Sequence, residues 1–333
     1  MANIREVAEK AHVSVTTVSH VVNQTRFVAP ETETRVRQAM ADLNYRPNTL
    51  ARSLRRGETK TIGLILPDSA NPFFAESARL LEEFAFQQSY SLILCNSNGD
   101  LEKERLYTEV LFNKQVDGII FMAAGDDTQS LQELIDRQLP VVVVDRILDH
   151  LDVDAVITDN LQSGHMAARY LIENGHSRIS IIRGPSNVNP SAQRVTGFRQ
   201  AMKEAGLVVD AEFEACGDFH PESGYRAAMS MLRLSPPPTA IFACNDLMAI
   251  GALKAVREAG LSVPEDISLV GHDNIEMASY IQPALTTISQ PVEELAATAI
   301  KLLLERIEQP GLAPRRIVLP NRLVVRQSVR RIT

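Results

Sequence analysis

Hydrophobic positions recur along this chain with two different spacings, and the change between them divides it. Ile4, Val7, Ala8 and Ala11 fall at i, i+3, i+4 and i+7, the stripe of a short amphipathic helix. His12-Val13 interrupts that stripe, and Ser14 is a ready N-cap for a second helix from about Val15 to Val22. A third helix follows Pro30-Glu31 and turns Val36, Ala39, Met40 and Leu43 inward. Three short helices with a tight turn between the first two form the helix-turn-helix pattern, whose second helix lies in the major groove of DNA. The outer face of that helix carries Thr16, Thr17, Ser19 and His20, short polar side chains that reach base edges or phosphates. A plain three-helix bundle is the competing reading of the same pattern.

From Thr61 the pattern changes. TIGLIL, SLILCN, VDGIIFM, PVVVVDR, AVITD, RISIIRG, TAIFACN and DISLVGHD are nearly continuous apolar runs, each ending in a polar or turn residue. Such runs predict strands of a parallel sheet covered on both faces. Helical segments are predicted between them, near 73–88, 101–114, 162–174, 191–205 and 246–259. The runs are too many for one small sheet, and the pattern restarts near Arg178. The expected body is therefore α/β, with two similar lobes of doubly wound parallel sheet. A C-terminal helix near 293–307 and the strands IVL and RLVVRQ pass back across the hinge.

Between head and body, Asn44-Tyr45-Arg46-Pro47-Asn48 leads into TLARSLRRG. This stretch is helix-compatible but has little apolar surface to bury, so its folding is expected to await a partner. Leu54, followed by Arg55 and Arg56, joins an apolar wedge to cations suited to a narrow minor groove. A solvated basic linker is the plainer reading.

Charge sharpens the division. The 333 residues sum to -7, which alone argues against nucleic acid, but residues 1–60 hold ten Lys/Arg against six Asp/Glu and the remainder is strongly acidic. A basic head on an acidic body fits a local electrostatic footprint on DNA. Three cysteines (Cys95, Cys216, Cys244) form no CxxC, which suggests a reducing compartment. No run of eighteen apolar residues occurs, and Arg5, Glu6, Glu9 and Lys10 stand where an export signal would need apolar residues. A soluble cytoplasmic protein, working at the nucleoid and without membrane contact, is expected.

Residues 4–56 closely resemble the DNA-binding region of the LacI/GalR repressor family, a helix-turn-helix followed by a hinge helix. The VSHV and ARSL pieces are most similar to those of the family's ribose- and purine-responsive repressors. The resemblance implies a helix-turn-helix domain over 1–46, a hinge helix and linker over 47–59, and an effector-binding and dimerisation domain over 60–333. In that last domain the N-lobe is expected at about 60–160 plus 291–319, and the C-lobe at about 161–290 plus 320–333, in the manner of periplasmic sugar-binding proteins. It further implies that Ser14, Val15, Thr16, Thr17, Ser19 and His20 meet DNA, with Thr16 and His20 reading bases. Asn23 and Tyr45 would touch phosphates, Leu54 would intercalate at the operator centre, and Ala51 and Arg55 would also meet DNA. Many family members carry Arg in place of His20, so the half-site is not carried over.

Polar residues at the strand ends suggest a ligand. Hydroxyls of a monosaccharide want Asp, Arg, Asn and Gln, while its C–H faces stack on aromatic rings. The pieces NPFF, DR, an Arg early in the second lobe, GDF, ND, GHDN and a hinge Gln-Pro resemble ribose-binding proteins and ribose-responsive repressors, which usually carry Tyr or Phe in place of His272. On that match Asn71, Phe73, Phe74, Arg146, Arg194, Phe219, Asn245, Asp273 and Gln290 would contact the sugar, with Asp145 contacting it or orienting Arg146. Each also has a plainer reading. Asn71 and Asn245 suit helix caps, Phe73 and Phe74 suit the core, Asp145-Arg146 an ion pair, and Gln290-Pro291 a crossover turn.

The glycines show no G-x-G spacing or P-loop, and the seven histidines form no metal-ligand pair. His176, after Gly175, is expected to satisfy a helix C-terminus. No metal, cofactor or catalytic residue is expected. The sequence reads as a homodimeric repressor that binds palindromic operator DNA and releases it when a small sugar, most simply D-ribose, binds between the lobes. The competing readings are a purine-responsive repressor, an exported sugar-binding protein and a sugar-modifying enzyme. No heptad pattern follows Arg326, so assembly beyond the dimer is not expected.

Overall fold

The computed structural model describes residues 2–45, 58–122, 128–146, 148, 151–185 and 188–332. The chain divides into two compact units, Met1–Thr59 and Lys60–Thr333.

In the first unit, helix α1 (Ile4–Lys10) opens with a capping box. The Asn3 side chain accepts from the Arg5 and Glu6 amides, and Glu6 accepts from the Asn3 amide in return. Helix α2 (Val15–Asn23) is capped by Ser14, whose hydroxyl accepts from the Thr17 amide at 3.0 Å. Helix α3 (Pro30–Asp42) has no side-chain cap; Pro30 sits in its first turn, where a missing N–H costs nothing. Val7, Ala8, Ala11, Val18, Val21, Val36 and Ala39 form the core, with Met40, Leu43 and Tyr45 packed half-buried against it. The predicted hinge helix, with Ala51, Leu54 and Arg55, lies outside the described residues.

Among the described residues the second unit holds two six-stranded sheets. The first contains β1 (Thr61–Leu66), β2 (Ser91–Asn96), β3 (Gly118–Phe121), β4 (Val141–Val144), β5 (Asp154–Thr158) and β11 (Arg316–Leu319), in the spatial order β11-β5-β4-β3-β1-β2. The second contains β6 (Ile179–Arg183), β7 (Glu214–Cys216), β8 (Ala240–Ala243), β9 (Ser268–Asp273), β10 (Thr286–Ser289) and β12 (Arg322–Val324), in the order β12-β10-β9-β8-β6-β7. Each order reverses beside its first strand, at β1 and at β6. Ligands of open α/β sheets bind outside the strand C-termini at such a reversal.

One strand departs from the all-parallel expectation: β12 runs antiparallel to β10. Only Pro320 and Asn321 separate β11 from β12. The chain leaves the first sheet at its C-terminal edge and enters the second at the edge where the other strands end, so it must run against them. The short edge strand β7 had no apolar run to announce it.

Helices α4 (Pro72–Gln87) and α12 (Val292–Glu308) cover one face of the first sheet, and α5 (Leu101–Asn113) and α6 (Gln129–Asp136) the other. In the second unit's other lobe, α7 (Asn160–Glu173) and α8 (Asn189–Glu204) meet through Gly164 and Gly197. A Cβ on Gly164 would stand 1.8 Å from the Arg194 carbonyl oxygen, so only glycine permits the crossing that seats Arg194. Helices α9 (Pro221–Met231), α10 (Asp246–Glu258) and the short α11 (Met277–Tyr280) complete that lobe. Gly175 after α7 takes φ +89, as a helix-terminating residue should. The His176 imidazole does not cap that helix; it bonds Thr239 and the Arg330 carbonyl, and only its backbone N–H closes the turn on Leu171. Among the described residues no helix is long and apolar enough to cross a membrane.

Candidate functional site

The C-terminal strand ends of the two sheets enclose a cavity of about 420 Å³. All ten residues selected from the sequence as sugar contacts line it. They reach it from both lobes. After β1, Asn71 caps α4 by accepting from the Phe73 amide at 3.0 Å, and Phe73 and Phe74 meet edge to face with centroids 5.1 Å apart. Phe73 is also part of the core, so the plainer readings of these residues hold alongside the cavity lining. After β4 come Asp145 and Arg146, both more than nine-tenths buried.

From the other lobe, α8 presents Arg194. Its Nε donates to Asn160 Oδ1 and its Nη1 to the Cys244 carbonyl, each at 2.7 Å, so the guanidinium is held from behind. Phe219, at φ +69, lies so close to Gly184 that a Cβ there would come within 2.2 Å of the ring. Asn245 caps α10 through Met248 N and donates to the Phe219 carbonyl, which fixes the aromatic residue beside it. Asp273, at φ +111, ends β9, and Gln290 follows β10.

The two cavity carboxylates differ. Asp273 Oδ1 accepts from Gln290 Nε2 at 2.9 Å and lies 2.9 Å from His272 Nδ1. Among the described residues Asp145 Oδ1 is buried with no hydrogen-bond partner. Burial pushes the Asp145 carboxyl up to about 6, against the pull of Arg194 and Arg146, with Asp273 adding to the rise. Fully buried His272 goes the other way: burial and the charge of Arg194 bring it down to about 4, opposed by its bond to Asp273. The imidazole is thus neutral at pH 7 and donates through Nδ1. Its Nε2 has no partner among the described residues, a deficit that costs on the order of 1–3 kcal/mol. Beneath them Asp246 is fully buried, and burial and Asp273 hold its carboxyl well above the usual range; it accepts from Thr287 and from the Ile275 amide.

Two buried carboxylates and two buried guanidiniums in one cavity suit a neutral ligand rich in hydroxyls, and the phenylalanines suit its C–H faces. Sequence reasoning missed the rim. Asp68 and Asn98 stand on one lip, and Asp218 and His220 on the other. Asn98 follows a run, SLILCN, whose polar end was visible. Val188 and Pro190, which form an apolar wall near the start of α8, had no such signal.

In the first unit, Val15 and Thr16 are exposed at the start of α2, while Thr17, Ser19, His20 and Asn23 are half-buried. Several of these polar groups are engaged within the helix and its turn. Ser14 bonds Thr17, His20 Nδ1 lies 2.8 Å from Thr25 Oγ1, and Asn23 Nδ2 donates to the Ser19 carbonyl. Tyr45 rests on the helical core. Phe27, 91% exposed beside Arg26, was not anticipated.

A family profile described as "Bacterial regulatory proteins, lacI family" matches residues 3–48, and one described as "Periplasmic binding protein-like domain" matches residues 168–329. The chain is 46% identical over 331 residues to the transcriptional repressor PurR of Escherichia coli O1:K1 / APEC, covering 99% of this chain and 97% of that one. Among solved structures it is similar to the Lac repressor dimer bound to operator and the anti-inducer ONPF, with TM-score 0.89 and 29% identity, covering 99% of each chain. It is also similar to a LacI family transcriptional regulator from Enterococcus faecalis V583 with bound ribose, with TM-score 0.73 and 35% identity, covering 82% of this chain and 100% of that one.

Proposed function

The chain belongs to the LacI family of DNA-binding transcriptional repressors, and we propose that the effector it answers to is a small sugar, D-ribose, held between the two lobes. The observation that carries this reading is the cavity's lining: buried Asp145, Asp273, Arg146 and Arg194 beside Phe73, Phe74 and Phe219, with Asp68 and Asp218 at the rim. An anionic ligand would meet that surplus of carboxylates unfavourably. The bare Asp145 Oδ1 calls for a donor, and a sugar hydroxyl is one.

Sugar bound to both lobes favours the closed body. Closure changes how two bodies meet, and operator affinity falls. This is a shift of population and needs only that the sugar bind one body conformation more tightly. Palindromic DNA needs two heads, so the working form is a homodimer. Leu94 on β2 and Leu101, Leu106 and Val110 on α5 are exposed apolar side chains on adjacent elements, and we assign them to the contact between copies. In that dimer Thr16 and His20 read bases and Asn23 meets phosphate, so operator affinity falls steeply with salt.

A second reading, a purine effector that tightens DNA binding, is favoured by the 46% identity to a repressor named PurR. Against it, Val188 and Pro190 on the cavity wall offer no donor to the edge of a flat base. Titration calorimetry with D-ribose, hypoxanthine and glucose decides between them. Saturable heat with D-ribose alone supports the sugar reading, and heat with hypoxanthine alone replaces it.

A further inference from the structure

Behind the cavity four polar side chains form a continuous hydrogen-bonded chain from one lobe to the other. Thr158 Oγ1, at the end of β5, donates to Gln290 Oε1 at 2.8 Å. Gln290 Nε2 donates to Asp273 Oδ1 at 2.9 Å, and His272 Nδ1 lies 2.9 Å from the same oxygen. All four are more than nine-tenths buried, His272 completely. Thr158 and His272 do not line the cavity; Gln290 and Asp273 do.

We infer that His272 and Thr158 are positioning residues for Asp273 and decide which arrangement of ligand hydroxyls the cleft accepts. The inference rests on the sugar reading of the cleft. Two donors fix Asp273 Oδ1 from two sides, so the carboxylate cannot rotate about its last bond and its other oxygen is left in one place for a ligand. Thr158 acts one step further back. Its hydroxyl satisfies Gln290 Oε1, which holds the amide with its NH₂ toward the carboxylate; the flipped amide would set two oxygens against each other. Among the described residues His272 Nε2 bonds nothing, so the polar work of this imidazole there is its bond to Asp273. The backbone needs such help. Asp273 and Asn274 stand at φ +111 and +59, where side chains other than glycine are strained, and Asp246 holds the turn through the Ile275 amide.

The test is titration calorimetry of the full chain and its variants His272→Phe, His272→Asn and Thr158→Val with D-ribose and its 2-epimer D-arabinose. Phe keeps a buried ring but loses the donor, Asn keeps a donor near Nδ1, and Val is the isostere of Thr without the hydroxyl. The expected result is a ~10-fold weaker D-ribose affinity in His272→Phe, with the preference for D-ribose over D-arabinose reduced in proportion, and recovery of both in His272→Asn. Thr158→Val should lose ~3-fold and part of the preference. The preference is the informative readout, because mere loosening of the fold would weaken both sugars alike. Unchanged affinity and preference in His272→Phe and Thr158→Val would overturn the inference and leave the sugar site standing. A His272→Asn variant as impaired as His272→Phe would overturn it too. If the unaltered protein takes neither sugar, the sugar site falls and this inference with it. Should His272→Phe not fold, Thr158→Val alone decides.

Discussion

The two buried carboxylates that face the cavity, one from each lobe, are prepared differently. Asp273 is held by Gln290 and His272 before any ligand arrives, whereas Asp145 is buried just as deeply with one oxygen bonded to nothing. Arg194 and Asn245, on the side of Asp273, are likewise fixed by bonds to neighbouring backbone or side chains. One lobe therefore presents a finished surface, and the other carries a group that a ligand must complete. A cleft built this way gains more from a ligand that spans both sides than from one that touches either, which is what lobe closure requires.

Removing the finished side should have the larger effect. Asp273→Ala leaves Gln290 and His272 donating into a void, and D-ribose affinity is expected to fall at least ~100-fold by calorimetry. A loss below about threefold would show that Asp273 is not a ligand contact.

Asp145→Asn should separate binding from stability. The neutral amide relieves the burial of a carboxylate raised from 3.8 to about 6, so the ligand-free protein gains up to about 3 kcal/mol at pH 7.5 in urea unfolding, while D-ribose binds ~10-fold more weakly. Lower stability in this variant would mean that Arg146 and Arg194 already compensate the charge.

The pH dependence follows with its sign. The folded state holds a proton on Asp145 from about pH 4 to about 6 where the unfolded chain does not, so this group's contribution to stability rises as pH falls through that window. His272, lowered to about 4, loses stability as pH falls from 6.5 towards 4, so the two slopes oppose each other in the wild type. The stability advantage of Asp145→Asn should therefore shrink to roughly a third, about 1 kcal/mol, by pH 4.5, measured as urea midpoints at several pH values. An advantage as large at pH 4.5 as at pH 7.5 would place its origin elsewhere.

Much of the architecture was legible because long apolar runs ending in polar residues mark strands and their C-terminal ends together. TIGLIL before Asn71 and DISLVGHD at Asp273 pointed to the right edge of each sheet. Other features left no local trace. Thr158 and Gln290 stand 132 positions apart, and no periodicity joins them. Left-handed backbone at Asp145, Phe219 and Asp273 occurs without glycine, so nothing in those residue types announced it. The direction of β12 follows from which edge the chain crosses, a fact about the assembled lobes rather than about RLV.

The most direct test of this account is calorimetric titration with D-ribose at pH 6 in two buffers of different ionisation enthalpy, which reads the protons exchanged on binding. If a sugar hydroxyl completes Asp145, binding favours the ionised carboxylate and must release a fraction of a proton near pH 6, and that release must vanish in Asp145→Asn. Binding without proton release, or with uptake, would contradict the claim that the ligand finishes what this lobe leaves open.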